Sequence, residues 1–339
     1  MPKISLPPLP VSGLFGIIKP SGPTSMSVIH DLQQLIGRSK LFVEAEKLEV
    51  AKNNKATKKG GKRSRQAIKV GQGGTLDPLA DGVLVVGVGK GTKMLSDFLN
   101  CTKEYRTTCL LGCETDSYDS EGSRVRLAPW HHVTREQVEA ALPKFIGEIS
   151  QIPPIFSALK MDGKPLYEYA RKGLPLPRPI EPRKVTVHSL ELVEWKGQDH
   201  TFHWPEKSFS EAEKKAMQTA LEGANEPVSL QDDPESDVDD KVPTAFVLKM
   251  RVSGGTYVRS IVHDLAHAIG SAGHVVTLTR SRQGRFVLEK PEEEEDKTCV
   301  PWEVFEAASA SSSEVDEEGW TKWEREVIKR LEIVGGNPL

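Results

Sequence analysis

No run of this 339-residue sequence approaches the roughly 20 consecutive apolar residues that a membrane-spanning helix requires. A membrane partner is therefore not expected. The opening residues, "MPKISLPPLPVSGLFGIIKP", lack the apolar core and the small-residue cleavage site of a secretory signal, and they lack the Arg-rich amphipathic pattern of a transit peptide. Cysteine is scarce: Cys101, Cys109, Cys113 and Cys299, with no C-x-x-C pair. In a chain of this size they do not read as a disulfide framework. They read as reduced core residues of an intracellular protein, with Cys109 and Cys113 on one face of a strand-like stretch. No internal repeat is visible. The apolar fraction of 37% is enough to bury a real core, in one large domain or two ordinary ones.

The glycine-rich stretch "GVGKGTK" fails as a phosphate cradle. A P-loop needs Gly-Lys-Ser/Thr, and here Lys90 is followed by Gly91. It also lacks the third glycine of a dinucleotide fingerprint, so no nucleotide cofactor is expected. "HDLAH", His263 to His267, sets two histidines one helical turn apart, but no third ligand is evident, and a metal site needs three or four. No metal and no cofactor are expected. Asp77 and Asp81 flank Pro78 in "GGTLDPLADG" and could be paired carboxylates of a glycosidase. Asp81-Gly82 reads more simply as a turn, which leaves Asp77 as a single candidate nucleophile.

What the sequence does have is charge, unevenly spread. The net charge is −3. Glu222 to Asp240 holds eight acidic residues and no basic one, Glu292 to Asp296 five more, and Glu314 to Glu318 four. Without these segments the rest of the chain would carry about +14, a balance that suits a polyanion such as RNA. Lys52 to Lys69 contains eight Lys/Arg, no acid and no apolar periodicity. It reads as a disordered or RNA-ordered loop, or as a nuclear import signal. Aromatic residues sit near basic ones at Tyr105-Arg106, at Tyr167, and at Tyr257 with Arg259, as suits a base stacked on a ring with phosphates held nearby.

Leu14 to Ile18 reads as a strand, followed by a helix capped by Thr24 or Ser25 and stopped by Gly37. Val83 to Val88, Glu104 to Leu111, Lys184 to Trp195, Thr244 to Val252 and Val275 to Thr279 read as strands, and Tyr257 to Ile269 as a helix. Strands and helices mix without regular βαβ alternation. The expected class is α+β, with a mixed or antiparallel sheet flanked by helices and disordered insertions. The expected organisation is a catalytic domain of residues 1–196 and 243–290, with a basic loop, 44–69, inserted. Residues 197–242 are an acidic, partly disordered insertion, and 291–339 an acidic tail with one amphipathic helix near Trp320 to Ile333.

Taken jointly, a collinear set of motifs resembles the TruB-type pseudouridine synthases, the tRNA pseudouridine-55 synthases. The pieces are "GIIKPSGPTS", "KVGQGGTLDPLADGVLVVGVGKGTK", "KEYR", "LGCETDSYDSEG", "GEISQIPPIFSALKMDGKPLYEYARKG", "SGGTYVRSIVHDLA" and "LTRSRQGRF". The resemblance implies a pseudouridine-synthase-type fold. It makes Asp77 the catalytic aspartate, Tyr105 the tyrosine that stacks on the target base, and Arg259 the arginine that pairs with the aspartate. Lys19 and Pro20 fall in the first family motif, Tyr257 and Leu278 at positions lining the pocket.

The reaction that it implies breaks the N1–C1′ bond of a uridine, rotates the uracil and joins C5 to C1′. A carboxylate can attack C1′ or promote elimination at the sugar, and an adjacent arginine favours its charged form. The uracil must leave its stack and be kept from water. Two departures stand out. Gln72 replaces the histidine common in the family, in "GQGG"; it can hydrogen-bond but cannot carry a proton. No PUA-type RNA-binding domain is recognisable after Phe286. The basic loop before Lys69 and the acidic insertion after Trp195 also depart from the compact bacterial pattern and suggest a eukaryotic type. The expected substrate is the T-loop and T-stem of tRNA, with mRNA as a second class. A monomer is expected, in nucleus, cytoplasm or mitochondrion. The alternatives are a guide-RNA-dependent synthase of the H/ACA kind and a catalytically silent RNA-binding or folding module.

Overall fold

A computed structural model of the protein describes residues 6–53, 68–157, 159–172, 174–220, 232–233, 242–310 and 314–335. In chain order its elements begin with β1 (Gly13–Lys19), α1 (Ser25–Ile36), α2 (Ala45–Asn53), β2 (Val70–Gln72), β3 (Asp81–Val88), α3 (Leu95–Asn100) and β4 (Lys103–Leu111). Next come β5 (Cys113–Thr115), β6 (Arg124–Leu127), α4 (Arg135–Ala141), β7 (Gly147–Gln151), β8 (Lys160–Met161), β9 (Lys164–Pro165), α5 (Leu166–Lys172) and β10 (Arg183–Gly197). The remainder is α6 (Glu211–Ala220), β11 (Ala245–Val252), α7 (Val258–Ala268), β12 (Gly273–Gln283), β13 (Phe286–Val287), β14 (Lys297–Thr298), β15 (Val300–Pro301), α8 (Trp302–Ala310), α9 (Lys322–Ile328) and β16 (Glu332–Ile333). The strands pair mostly antiparallel, with parallel pairs at β1–β15 and β13–β14, so the expected α+β class with a mixed sheet holds. Among the described residues no helix is long and apolar enough to cross a membrane.

The chain divides into two compact units rather than a body with an appended tail: Met1–Lys103 with Arg280–Leu339, and Glu104–Thr279. In the first unit β1 is central. It pairs antiparallel with β3 over its whole length, parallel with β15 at Ile17 and Ile18, and antiparallel with β16 at Gly13 and Leu14. β3 is buried from Gly82 to Val88, which explains its unbroken Val/Leu/Gly run. Its inner residues Val83 and Val85 pack with Leu14, Leu95, Phe98, Phe286 and Cys299. α1 starts where Thr24 Oγ1 accepts the Ser27 N–H at 3.0 Å, and it buries Val28, Ile29, Leu32 and Ile36.

The segment after Lys290 departs from the acidic tail expected of it. It supplies two helices and two strands that pair with β1, and it buries Trp302, Phe305, Trp320 and Trp323. The expected helix from Trp320 to Ile333 is shorter, because a Thr321–Glu324 capping box starts α9 and Glu332–Ile333 turns into β16. The acidic runs here are also not detachable charge. Asp296 is buried and forms a two-pronged ion pair with Arg282, at 2.6 and 2.9 Å, and Asp316 and Glu318 both hold Arg325. The Arg282 guanidinium, helped by the Glu292 and Glu293 backbone N–H groups, keeps the Asp296 carboxyl down at about 2. Its folded pKa lies below its unfolded one. The stability it contributes is therefore present above about pH 4 and lost as pH falls through 2. We expect Asp296→Asn to cost about 3 kcal/mol at pH 7, because it breaks a buried pair. The variant's urea midpoint should then vary less than the wild type's between pH 4 and 2; equal slopes would refute this role.

In the second unit the strands run in the order β12, β4, β11, β10, β7, with β12 contributing Gly273–Thr279 here and its last four residues to the first unit. The long β10 pairs antiparallel with β11 on one edge and β7 on the other. Within the acidic insertion, the described parts are anchored. Trp204 Nε1 donates to Leu111 O at 2.8 Å, and Asp232 accepts the Leu127 N–H at 2.8 Å. The start of the expected basic loop is the helix α2. The rest of that loop, 54–67, and most of 221–241 lie outside the described residues, as do the expectations of disorder there. All four cysteines are free, and Cys109, Cys113 and Cys299 are buried.

Candidate active site

The site residues expected from sequence fall four to each unit. Lys19, Pro20, Gln72 and Asp77 belong to the first; Tyr105, Tyr257, Arg259 and Leu278 belong to the second.

Asp77 opens a tight turn. Its carbonyl accepts the Ala80 N–H at 3.1 Å, and Pro78 sits second in the turn, where its fixed φ fits. What the turn adds is fixation from outside. Ser25 Oγ accepts the Leu76 N–H at 2.9 Å and donates to Leu76 O at 2.8 Å, clamping the residue before Asp77. Pro78 O accepts the Gly22 N–H at 2.8 Å, Leu79 O accepts Ser21 Oγ at 2.7 Å, and Ala80 O accepts Lys19 Nζ at 2.7 Å. Every carbonyl from Leu76 to Ala80 is therefore engaged. Asp77 itself is half-buried, between the buried Leu76 and Ala80.

Lys19 is fully buried, and its ammonium spends its three protons on carbonyls: Pro20 O at 2.8 Å, Ala80 O at 2.7 Å and Pro78 O at 3.3 Å. Burial lowers its pKa to about 8, against the pull of the Asp81 and Asp77 carboxylates. Arg280, also buried, donates from Nε to Val83 O at 2.7 Å and from Nη2 to Gly74 O at 3.1 Å. Gly82, with φ of 98°, is the residue that lets this strand approach: a Cβ there would lie 2.3 Å from Arg280 O. Asp81, read from sequence as part of a turn, instead begins β3. Gln72, at the end of β2, donates to Thr75 Oγ1 at 3.3 Å and lies near the exposed Met26, with Nε2 3.9 Å from its sulfur.

In the second unit Tyr105 lies on β4 and Leu278 on β12, both buried. Tyr257 immediately precedes α7, and the Gln151 side chain pairs with both of its backbone groups. The Tyr257 N–H donates to Gln151 Oε1 at 2.8 Å, and Gln151 Nε2 donates to Tyr257 O at 2.9 Å. This side-chain pair fixes the start of the helix that carries Arg259. Arg259 is buried. Its guanidinium donates to Ser117 O and, at 3.2 Å, to Phe156 O, with Nε 3.7 Å from an Asp119 oxygen. Asp119 Oδ1 in turn accepts Ser117 Oγ and the Glu121 N–H. One arginine thus shapes the "TDSYDSEG" loop. Gln151→Leu should remove about 2 kcal/mol by stranding the Tyr257 N–H. That would lower the melting temperature by about 6 °C. An unchanged melting temperature would show that the helix start needs no such anchor.

The two histidines of "HDLAH" do lie on one face of α7, and the third side chain that the sequence did not reveal is Glu114 on β5. It meets His263 Nε2 at 3.2 Å and His267 Nε2 at 3.0 Å. Burial disfavours the His263 imidazolium, but Asp264 and Glu114 outweigh it and raise its pKa to about 9. Gln151, Asp119, Arg280 and Gln283 are positioning residues that sequence reading passed over, and Ser25, read only as a possible helix cap, is a fifth. All five stand inside the quoted motifs, but their partners are remote in the chain; Arg280 reaches back 206 residues to Gly74.

The family described as TruB family pseudouridylate synthase (N terminal domain) matches residues 62–208. The chain is similar to tRNA pseudouridine synthase 4 of Schizosaccharomyces pombe, 36% identical over 343 residues, covering 87% of this chain and 83% of that protein. It is 35% identical over 317 residues to tRNA pseudouridine synthase 4 of Saccharomyces cerevisiae, covering 83% of this chain and 79% of that one. Among solved structures it resembles a chain of the "Crystal Structure of a Cbf5-Nop10-Gar1 Complex". The TM-score is 0.50 at 19% identity, covering 95% of this chain and 60% of that chain, a likeness of fold alone. With relatives above 30% identity across most of both chains, this chain belongs to the TruB family of pseudouridine synthases, in its eukaryotic branch.

Proposed function

We propose that the protein is a tRNA pseudouridine synthase that isomerises the T-loop uridine at position 55. Asp77 acts at C1′ of the flipped nucleotide. The N1–C1′ bond breaks, the uracil turns, and C5 bonds to C1′. C5 then loses its proton to solvent and N1 gains one, so atoms balance with no redox partner. The family resemblance gives Tyr105 the role of holding the uracil during rotation and Arg259 that of favouring the charged form of the aspartate.

The observation that carries this reading is the fixation of all five carbonyls from Leu76 to Ala80 around one half-buried carboxylate. A reaction that swaps one bond of C1′ for another, with no external cofactor, depends on where its nucleophile stands to within about 1 Å. The test uses pure protein and tRNA transcript tritiated at uracil C5. Stoichiometric tritium release with the base retained supports the reading, and free uracil would mean a glycosidase. A need for added guide RNA would mean the guide-dependent class, and binding without release a silent module.

A further inference from the structure

Among the described residues, one group of side chains has the composition and spacing of a metal site, and the pseudouridine chemistry makes no use of it. It consists of Glu114, His263 and His267, all in the second unit, with one ligand atom from each lying within 4.8 Å of the others. We propose that these residues form a binding site for a divalent first-row transition ion, zinc above all, with three protein ligands and a fourth position open to solvent.

The donor set comes first. Two imidazole nitrogens and one carboxylate oxygen suit zinc, and a three-ligand site with a free fourth position is one of its standard forms. The geometry comes second. A tetrahedral ion with ligand bonds of about 2.0–2.1 Å holds its donors about 3.3 Å apart. Here the carboxylate meets the two imidazoles through different oxygens, Oε1 3.2 Å from His263 Nε2 and Oε2 3.0 Å from His267 Nε2, and one donor atom from each residue lies within 4.8 Å of the others. The i, i+4 spacing stacks the two rings on one side of α7, with centroids 4.3 Å apart.

The supporting contacts point the same way. His263 turns its other nitrogen, Nδ1, to Asp264 Oδ1 at 2.9 Å. That is the carboxylate contact that orients a metal-bound histidine and leaves Nε2 as the donor. Tyr118, held at a positive φ of 61°, stacks on the His263 ring at 3.9 Å and 24° and fixes its plane. Glu114 and His263 are mostly buried, while the His267 side chain is 42% exposed and provides the entrance.

One group competes. Arg126 approaches Glu114 Oε2 and His267 Nε2, each at 3.4 Å. A guanidinium carries only N–H donors and has no lone pair to give, so it cannot be a ligand. It occupies the approach as a cation, and the ion displaces it. A bound ion would staple α7, the helix carrying Arg259, to the strand that leads into the Tyr118 loop. The site is independent of whether the enzyme acts on tRNA.

The experiment uses full-length protein stripped with a chelator and dialysed, then titrated with zinc against a chromophoric competitor, and separately with cobalt(II) followed by visible absorption. One equivalent of zinc per chain is expected, with the intense absorption of tetrahedral cobalt. His267→Ala, a half-exposed position chosen to leave the metal-free fold intact, should weaken zinc binding at least tenfold. Its metal-free melting temperature should match the wild type's. Glu114→Gln should weaken binding similarly, and Arg126→Ala should tighten it several-fold. A fixed zinc concentration that saturates the wild type should raise its melting temperature clearly more than that of His267→Ala. No stoichiometric binding, or binding equal in wild type and His267→Ala, would overturn the proposal and leave the three groups as a hydrogen-bonded cluster only.

Discussion

Asp77→Asn should abolish tritium release, lowering kcat by a factor on the order of 10³ or more, with the melting temperature within about 2 °C of wild type. The amide keeps the size of the side chain but loses the charge that the proposed mechanism uses at C1′. The turn's carbonyls keep their donors in the variant, namely Ser21, Ser25, Lys19 and the Gly22 N–H. Binding of tRNA, measured by filter retention, should change less than threefold. Residual turnover within tenfold of wild type would show that the carboxylate is not the reacting group and would remove the basis for the proposed mechanism.

Lys19→Met should produce the second largest effect, through geometry rather than chemistry. Methionine fills much of the volume but strands the carbonyls of Pro20 and Ala80, which now depend on that ammonium, while Pro78 O keeps the Gly22 N–H. Each buried acceptor left without a donor costs roughly 1–3 kcal/mol, and partial relaxation toward solvent brings the total to about 4 kcal/mol. That corresponds to a fall in melting temperature of about 10 °C. At 25 °C, where the variant remains folded, kcat should fall at least about 100-fold while the tRNA KM changes little, since a displacement of about 1 Å is enough to cost that much. Wild-type kcat in a destabilised variant would show that the lysine supports the fold but not the aspartate.

The same lysine carries a pH signature. Its folded pKa, about 8, lies below its unfolded value of 10.5. Between these values the unfolded chain binds more protons, so losing the Lys19 proton favours the folded state. An amine, however, can donate only twice to three carbonyls. Activity should therefore fall as pH rises through 8 without a matching loss of stability from this group. Parallel profiles of kcat and melting temperature from pH 7 to 9.5 would check this.

Local pattern carried the chain a long way. The capped start of α1 at Thr24, the unbroken apolar β3, the alternating β10 and β11, and the turn at Asp77-Pro78 follow from short-range rules, in which residues a few positions apart compete for the same backbone groups. The ordered motifs were likewise enough to point to the family. Other features depended on long-range partners. The acidic segment after Lys290 reads as tail until Trp302, Phe305, Trp320 and Trp323 find a core to fill and β15 and β16 find β1. Asp296 reads as one of five surface acids until Arg282 reaches it. Glu114 carries no signal near the "HDLAH" helix, because 149 residues separate it from His263. The sequence by itself determined the elements, the turn that bears Asp77 and the kinship that gives this aspartate its meaning. Only the tertiary structure decided what holds that turn and what completes the histidine pair. Hydrogen bonds and ion pairs between distant residues depend on where the backbone brings them, and no local periodicity encodes that.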